Sequence, residues 1–74
     1  MPAPRPRPDH LAQAERHIRA VKRHIYEQER LIERLADEGQ STDDAFVLLN
    51  LLIQSLRQFE RHRLLVLEQL GKGK

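Results

Sequence analysis

From Leu11 onward, apolar residues return every three or four positions, the spacing of one helical face. Written as a heptad, Leu11, Ile18, Ile25 and Ile32 take position a, and Ala14, Val21, Gln28 and Leu35 take position d. Gln28 is the single polar member of that set. The other positions are mostly Glu, Arg, Lys, Gln and Ala, as a solvated helical surface requires. Pairs four apart, Glu15 with Arg19 and Arg23 with Glu27, add roughly 0.3 kcal/mol each. Asp9 stands where an N-cap belongs, offering a carboxylate to the backbone N–H groups of the first turn. The pattern predicts a first helix over about 9–38.

There the periodicity stops. Gly39 can adopt the left-handed conformation without a Cβ penalty, which marks a helix C-terminus. After Gln40, the run Ser41, Thr42, Asp43, Asp44 restarts a helix. Either hydroxyl can cap it, and both carboxylates sit on the positive end of its dipole. Ser41 with Asp44 makes only a weak capping box, because Glu or Gln is the usual partner. So short a connection, 39–42, makes the two helices antiparallel neighbours.

The second helix, expected over about 43–70, is oilier. Ala45, Leu52, Phe59 and Val66 fall at d, and Leu49, Leu56, Arg63 and Leu70 at a. Beside them stand Phe46, Ile53 and Leu67 at e and Leu48 at g, with Leu51, Leu64 and Leu65 further round at b and c. The densest stretch is AFVLLNLLIQSL at 45–56, where nine of twelve residues are apolar. Such a surface is broader than one facing helix can cover. The expected fold is therefore all-α, an antiparallel two-helix hairpin of coiled-coil-like pattern that dimerises into a four-helix bundle, its second helices central. Phe46, Leu48, Leu49, Leu51, Leu52, Ile53, Leu56 and Phe59 form the expected contact between copies. The competing readings are a monomer with a greasy binding face and an obligate complex with a different protein. Gln28 and Arg63 interrupt their seams, either reaching out toward solvent or fixing the register of pairing.

Both ends of the chain differ in character. Residues 1–8, MPAPRPRP, carry Pro at 2, 4, 6 and 8, so an extended arm bearing Arg5 and Arg7 is expected there. Gly71 is expected to end the second helix, leaving 71–74 as a flexible basic tail. Seventy-four residues allow one domain with a thin core. With no Cys, a disulfide framework and a thiolate zinc site are both excluded, which fits a reducing cytoplasm. No basic segment leading into an apolar run follows Met1, so no secretory leader is expected. The longest apolar run, 45–49, falls far short of the ~20 residues that span a bilayer. A cytoplasmic setting is the expectation.

Net charge alone predicts no partner, since 13 Lys+Arg against 11 Asp+Glu leave only +2. Its distribution says more. Residues 27–50, the turn half of the hairpin, hold seven acids and two bases, a net of −5. The remainder holds eleven bases and four acids, a net of +7, and all four His. Antiparallel pairing brings Arg16, Arg19, Lys22 and Arg23 near the level of Arg57 and Arg61, a candidate site for an anion. One reading is that this polarity steers assembly, an antiparallel copy laying its acidic end on a basic one. The other is an accessory protein holding nucleic acid, acidic lipid headgroups or an acidic protein. Three aromatic residues and no groove-reading motif argue against nucleic acid. Salt separates the two, because binding to phosphates weakens steeply between about 50 and 200 mM and apolar association does not.

His10, His17 and His24 recur every seven residues at position g. Seven residues rise about 10.5 Å along a helix, too far for two of them to share one ion, and chelation on one helix needs spacings of three or four. A cross-helix set such as His17 with His62 is the arrangement left open. No Gly-rich phosphate loop, nucleophile elbow or Cys is present, and Asp43 with Asp44 serve as helix-dipole charges. Neither enzymatic activity nor a cofactor is expected.

With the pattern assembled, a resemblance can be stated. AERHI at 14–18, KRHIYEQERLIERL at 22–35, Gly39 and Thr42 in the turn, Ala45, LL at 48–49, QSL at 54–56 and FERHR at 59–63 carry it. Across roughly 10–70 the chain resembles a group of small uncharacterised helical-hairpin proteins of rhizobial-type alphaproteobacteria. The resemblance implies a helical hairpin in a bacterial cytoplasm and transfers no functional residues. The expected function is self-association or protein interaction, in a regulatory or structural role.

Overall fold

The computed structural model describes residues 8–72. They form two α-helices, α1 (Pro8–Asp37) and α2 (Asp43–Lys72), folded back on one another through a short turn. The all-α antiparallel hairpin is as expected, and every residue assigned to a or d on either helix is buried or half-buried. The cause is simple. When the chain doubles back, an apolar stripe leaves water most readily against its counterpart. The result is a thin rod, 57 × 19 × 16 Å.

The turn is closed by backbone hydrogen bonds. Gln40 N–H donates to the Leu35 carbonyl at 2.8 Å and Gly39 N–H to the Ala36 carbonyl at 3.1 Å, the paired bonds of a Schellman ending. Gly39 supplies its left-handed residue, at φ 71°. At the start of α2 the Thr42 carbonyl accepts from Phe46 N–H at 2.9 Å, while Ser41 Oγ accepts from Asp43 N–H at 3.3 Å. Of the two hydroxyls expected to cap, Ser41's accepts a backbone N–H, and Thr42 contributes its backbone carbonyl to the first helical bond.

Three boundaries differ from the sequence reading. α1 begins at Pro8, so Asp9 lies in the first turn rather than at the cap. Proline suits that place because the first N–H of a helix has no partner and the ring presets φ, and Asp9 still favours the positive dipole end. α1 also ends one residue early, at Asp37, with Glu38 already in the turn. α2, by contrast, continues through Gly71 to Lys72. Gly39 is the one glycine with positive φ among the described residues, and Gly71 keeps helical geometry. The expected arm, Pro8 apart, and residues 73–74 of the expected tail lie outside the described residues.

That contrast is testable. Gly39→Ala places a Cβ in the left-handed region and is expected to cost about 1–2 kcal/mol. Around Gly71 a Cβ meets nothing within 4 Å, so Gly71→Ala is expected to be neutral or to stabilise by about 0.5 kcal/mol. Urea midpoints measure both; coincident midpoints would remove the role assigned to Gly39.

Gln28 does not reach out to solvent. It is buried, and its side-chain amide donates to the Ala45 carbonyl across the hairpin at 2.9 Å. A buried amide is tolerated where a partner faces it, and slipping the helices by one turn would leave it dry and unpaired. The one polar residue of the first seam therefore favours the observed register. Around it the core is thin. Ala14, Ile18, Leu49 and Val66 are the buried apolar residues, and no large side chain among the described residues is fully enclosed. The accessible surface is 6180 Å², against about 4,700 Å² for a compact monomer of the same mass.

Candidate interaction surface

Helix rotation decides what each side of the rod presents. At 3.6 residues per turn, position d is flanked by g and then c, and position a by e and then b. In the hairpin the two d–g–c flanks lie together, as the tilted contact between His17 and Phe59 records, ring centroids 5.3 Å apart. Two open grooves run along this side. At the open end, His10, Gln13 and His17 face His62, Leu65 and Gln69 over a floor of Ala14 and Val66, enclosing about 520 Å³. At the turn end, His24, Glu27, Leu31 and Arg34 face Leu48 over Gln28 and Leu52, enclosing about 490 Å³. The opposite side carries a smaller cleft of about 260 Å³, where Glu15, Arg19 and Lys22 meet Glu60 and Arg63 over Ile18.

The two sides differ sharply in charge. Of the sixteen helical c and g positions from His10 to Gln69, only Glu27, Arg34 and Asp44 carry a formal charge, and all four His are among them. Of the sixteen helical b and e positions from Ala12 to Leu67, eight are charged: Glu15, Arg19, Lys22, Glu29, Glu33, Asp43, Arg57 and Glu60. One side is thus poor in charge and rich in imidazole, and the other is studded with ions of both signs.

The eight residues expected at a contact between copies are split by the fold. Phe46, Leu48 and Leu51 are exposed, while Leu52, Ile53, Leu56 and Phe59 are half-buried within the hairpin. Leu49 is buried, its surface already covered by the chain's own fold, so it is withdrawn from the intermolecular set. Val47, Leu64, Leu65 and Leu67 are exposed as well and lay outside that set. Leu65 was the legible omission, since it stands fourteen residues from Leu51 and shares its position c.

The six candidate anion-binding residues divide between two faces, Arg19, Lys22 and Arg57 at b and e and the other three at f. Arg19 and Lys22 share a cleft with Arg63, but Glu15 and Glu60 line it too. Arg57 sits at b, whereas Arg16, Arg23 and Arg61 occupy f, the outer back of each helix. The expected pairs Glu15–Arg19 and Arg23–Glu27 do not close, and Glu27 instead lies 3.9 Å from His24 Nδ1. Exposed long side chains gain little by holding one geometry, so this outcome is ordinary. His10, His17 and His62 do come together at one groove, a convergence the spacing alone did not reveal. Among the described residues, no group of three His, Cys, Asp or Glu is arranged to hold a metal ion.

No protein-family model, curated protein or solved structure matches the chain. No helix among the described residues is long and apolar enough to cross a membrane.

Proposed function

We propose that this chain is a non-enzymatic helical hairpin that acts by pairing with a second copy of itself, as a small interaction module of regulatory or structural use. The observation that supports it is the mismatch between a core of four buried apolar residues and seven large apolar side chains exposed along α2. A hairpin with so little enclosed gains by covering that surface, and a second hairpin yields a four-helix bundle. Light scattering after gel filtration is expected to return twice the 8.7 kDa of one chain. A single-chain mass at high concentration, with the hairpin folded, would end this reading.

Anion binding ranks second. It draws support from the cleft that gathers Arg19, Lys22 and Arg63, and it is weakened by Glu15 and Glu60 in the same walls. Opposite charges side by side leave little net field for a phosphate to sense.

A further inference from the structure

Self-association by itself names neither the side that meets the partner nor its direction. Resting on that reading, we propose that two copies pack antiparallel through their histidine-bearing sides, α2 on α2 and α1 on α1. The two-fold axis crosses the rod at the level of Ala20 and Ser55.

Charge chooses the side. Interface centres are depleted of charged residues because each ion must be stripped of water. The c–g side asks this of Glu27, Arg34 and Asp44, all near its turn end, whereas the b–e side would bury eight ions per copy. Size agrees. A helix of 30 residues is about 45 Å long, and over the 19 Å width of the rod this gives roughly 800 Å², what one partner contributes to a standard interface.

Relief along that side sets the position of the axis. His17 meets Phe59, so Ala20 and Ser55, about one turn nearer the bend on each helix, share a level. Both are small and half-buried, which lets two rods approach closely at this waist. On either side of it lie the two grooves, of nearly equal volume. A two-fold axis through the waist, perpendicular to the helices, sets the turn-end groove of one copy on the open-end groove of the other. Leu48 then lies level with the partner's His62 and within a turn of the partner's Leu65, Leu51 lies level with the partner's Phe59, and Glu27 approaches imidazoles rather than another carboxylate.

Direction follows from the long-range charge. Side-by-side copies pointing the same way would set −5 on −5 and +7 on +7, and reversal sets −5 on +7. The sign of the Coulomb energy favours reversal at every separation within screening range.

Because the chain has no cysteine, one introduced cysteine carries a unique nitroxide label, and pulsed electron paramagnetic resonance on the dimer reads the distance between copies. Gln58→Cys lies on the histidine-bearing side near the waist, and its labels are expected within about 20 Å. Gln69→Cys, on the same side at the open end, is expected at roughly 40–45 Å, since an antiparallel axis separates equivalent ends by twice their rise from it. Arg57→Cys, on the outer side of the paired rods, is expected at roughly 30 Å or more. A short Gln69 distance would overturn the antiparallel arrangement, and a short Arg57 distance with a long Gln58 one would overturn the choice of side. Either result leaves self-association standing. Absence of any dipolar coupling together with a single-chain mass removes both proposals.

Discussion

Leu51→Glu is expected to weaken the dimer at least 100-fold while leaving the hairpin helical. Leu51 stands at c on the histidine-bearing side and remains 54% exposed in the single hairpin, so the α1–α2 seam hardly depends on it. In the proposed dimer it would be covered. Losing that burial forfeits about 2 kcal/mol, and the carboxylate adds a desolvation cost of its own. Two-fold symmetry applies the change twice, so about 4 kcal/mol, close to 1000-fold in Kd, is a fair expectation. Glutamate is as good a helix former as leucine, so far-UV circular dichroism should hold. Leu64→Glu is the control. Leu64 is 62% exposed on the charged side, and this variant is expected to keep the dimer mass in light scattering. Should Leu64→Glu disperse the dimer and Leu51→Glu leave it whole, the copies meet through the other side.

Ile18→Ala attacks the hairpin itself. Ile18 is 8% exposed and one of four buried apolar residues. Truncating a buried isoleucine typically costs 2–5 kcal/mol through lost transfer energy and the cavity left behind. With so small a core, about 3 kcal/mol is a large share of what a domain of this size holds. Urea denaturation followed by circular dichroism should show a midpoint well below the parent's. Leu64→Ala, an equal-sized truncation in solvent, is expected within about 0.5 kcal/mol. Equal midpoints for the two variants would mean that the heptad seam is not where the hairpin keeps its stability.

The helix ends show how far local rules reach. Gly39 was legible as a stop because only a left-handed residue lets the Gln40 and Gly39 N–H groups reach back to Leu35 and Ala36. Gly71 looked alike in the sequence yet continues α2. A glycine permits the left-handed conformation without requiring it, and Gly71 keeps the helical one. Similarly, Gln28 was visible as an irregularity of the seam, but its acceptor, the Ala45 carbonyl, lies seventeen residues away. Nothing local says whether such a residue turns outward or finds a partner.

What these residues determined unaided is the hairpin: two amphipathic stretches, the turn between them, which positions face inward, and an apolar surplus on the second helix. Such features follow from periodicity and from capping, which act within a few residues. Only the folded pair decided the rest. The rotation of each helix about its axis gathered the four histidines and most of the neutral residues onto one side, spread the basic residues over several, and spent Leu49 inside the hairpin while leaving Leu51 and Leu65 outside. A heptad orders the positions around one helix but does not say what stands across from them. That is settled when two seams interlock, because the shared core fixes both rotations at once.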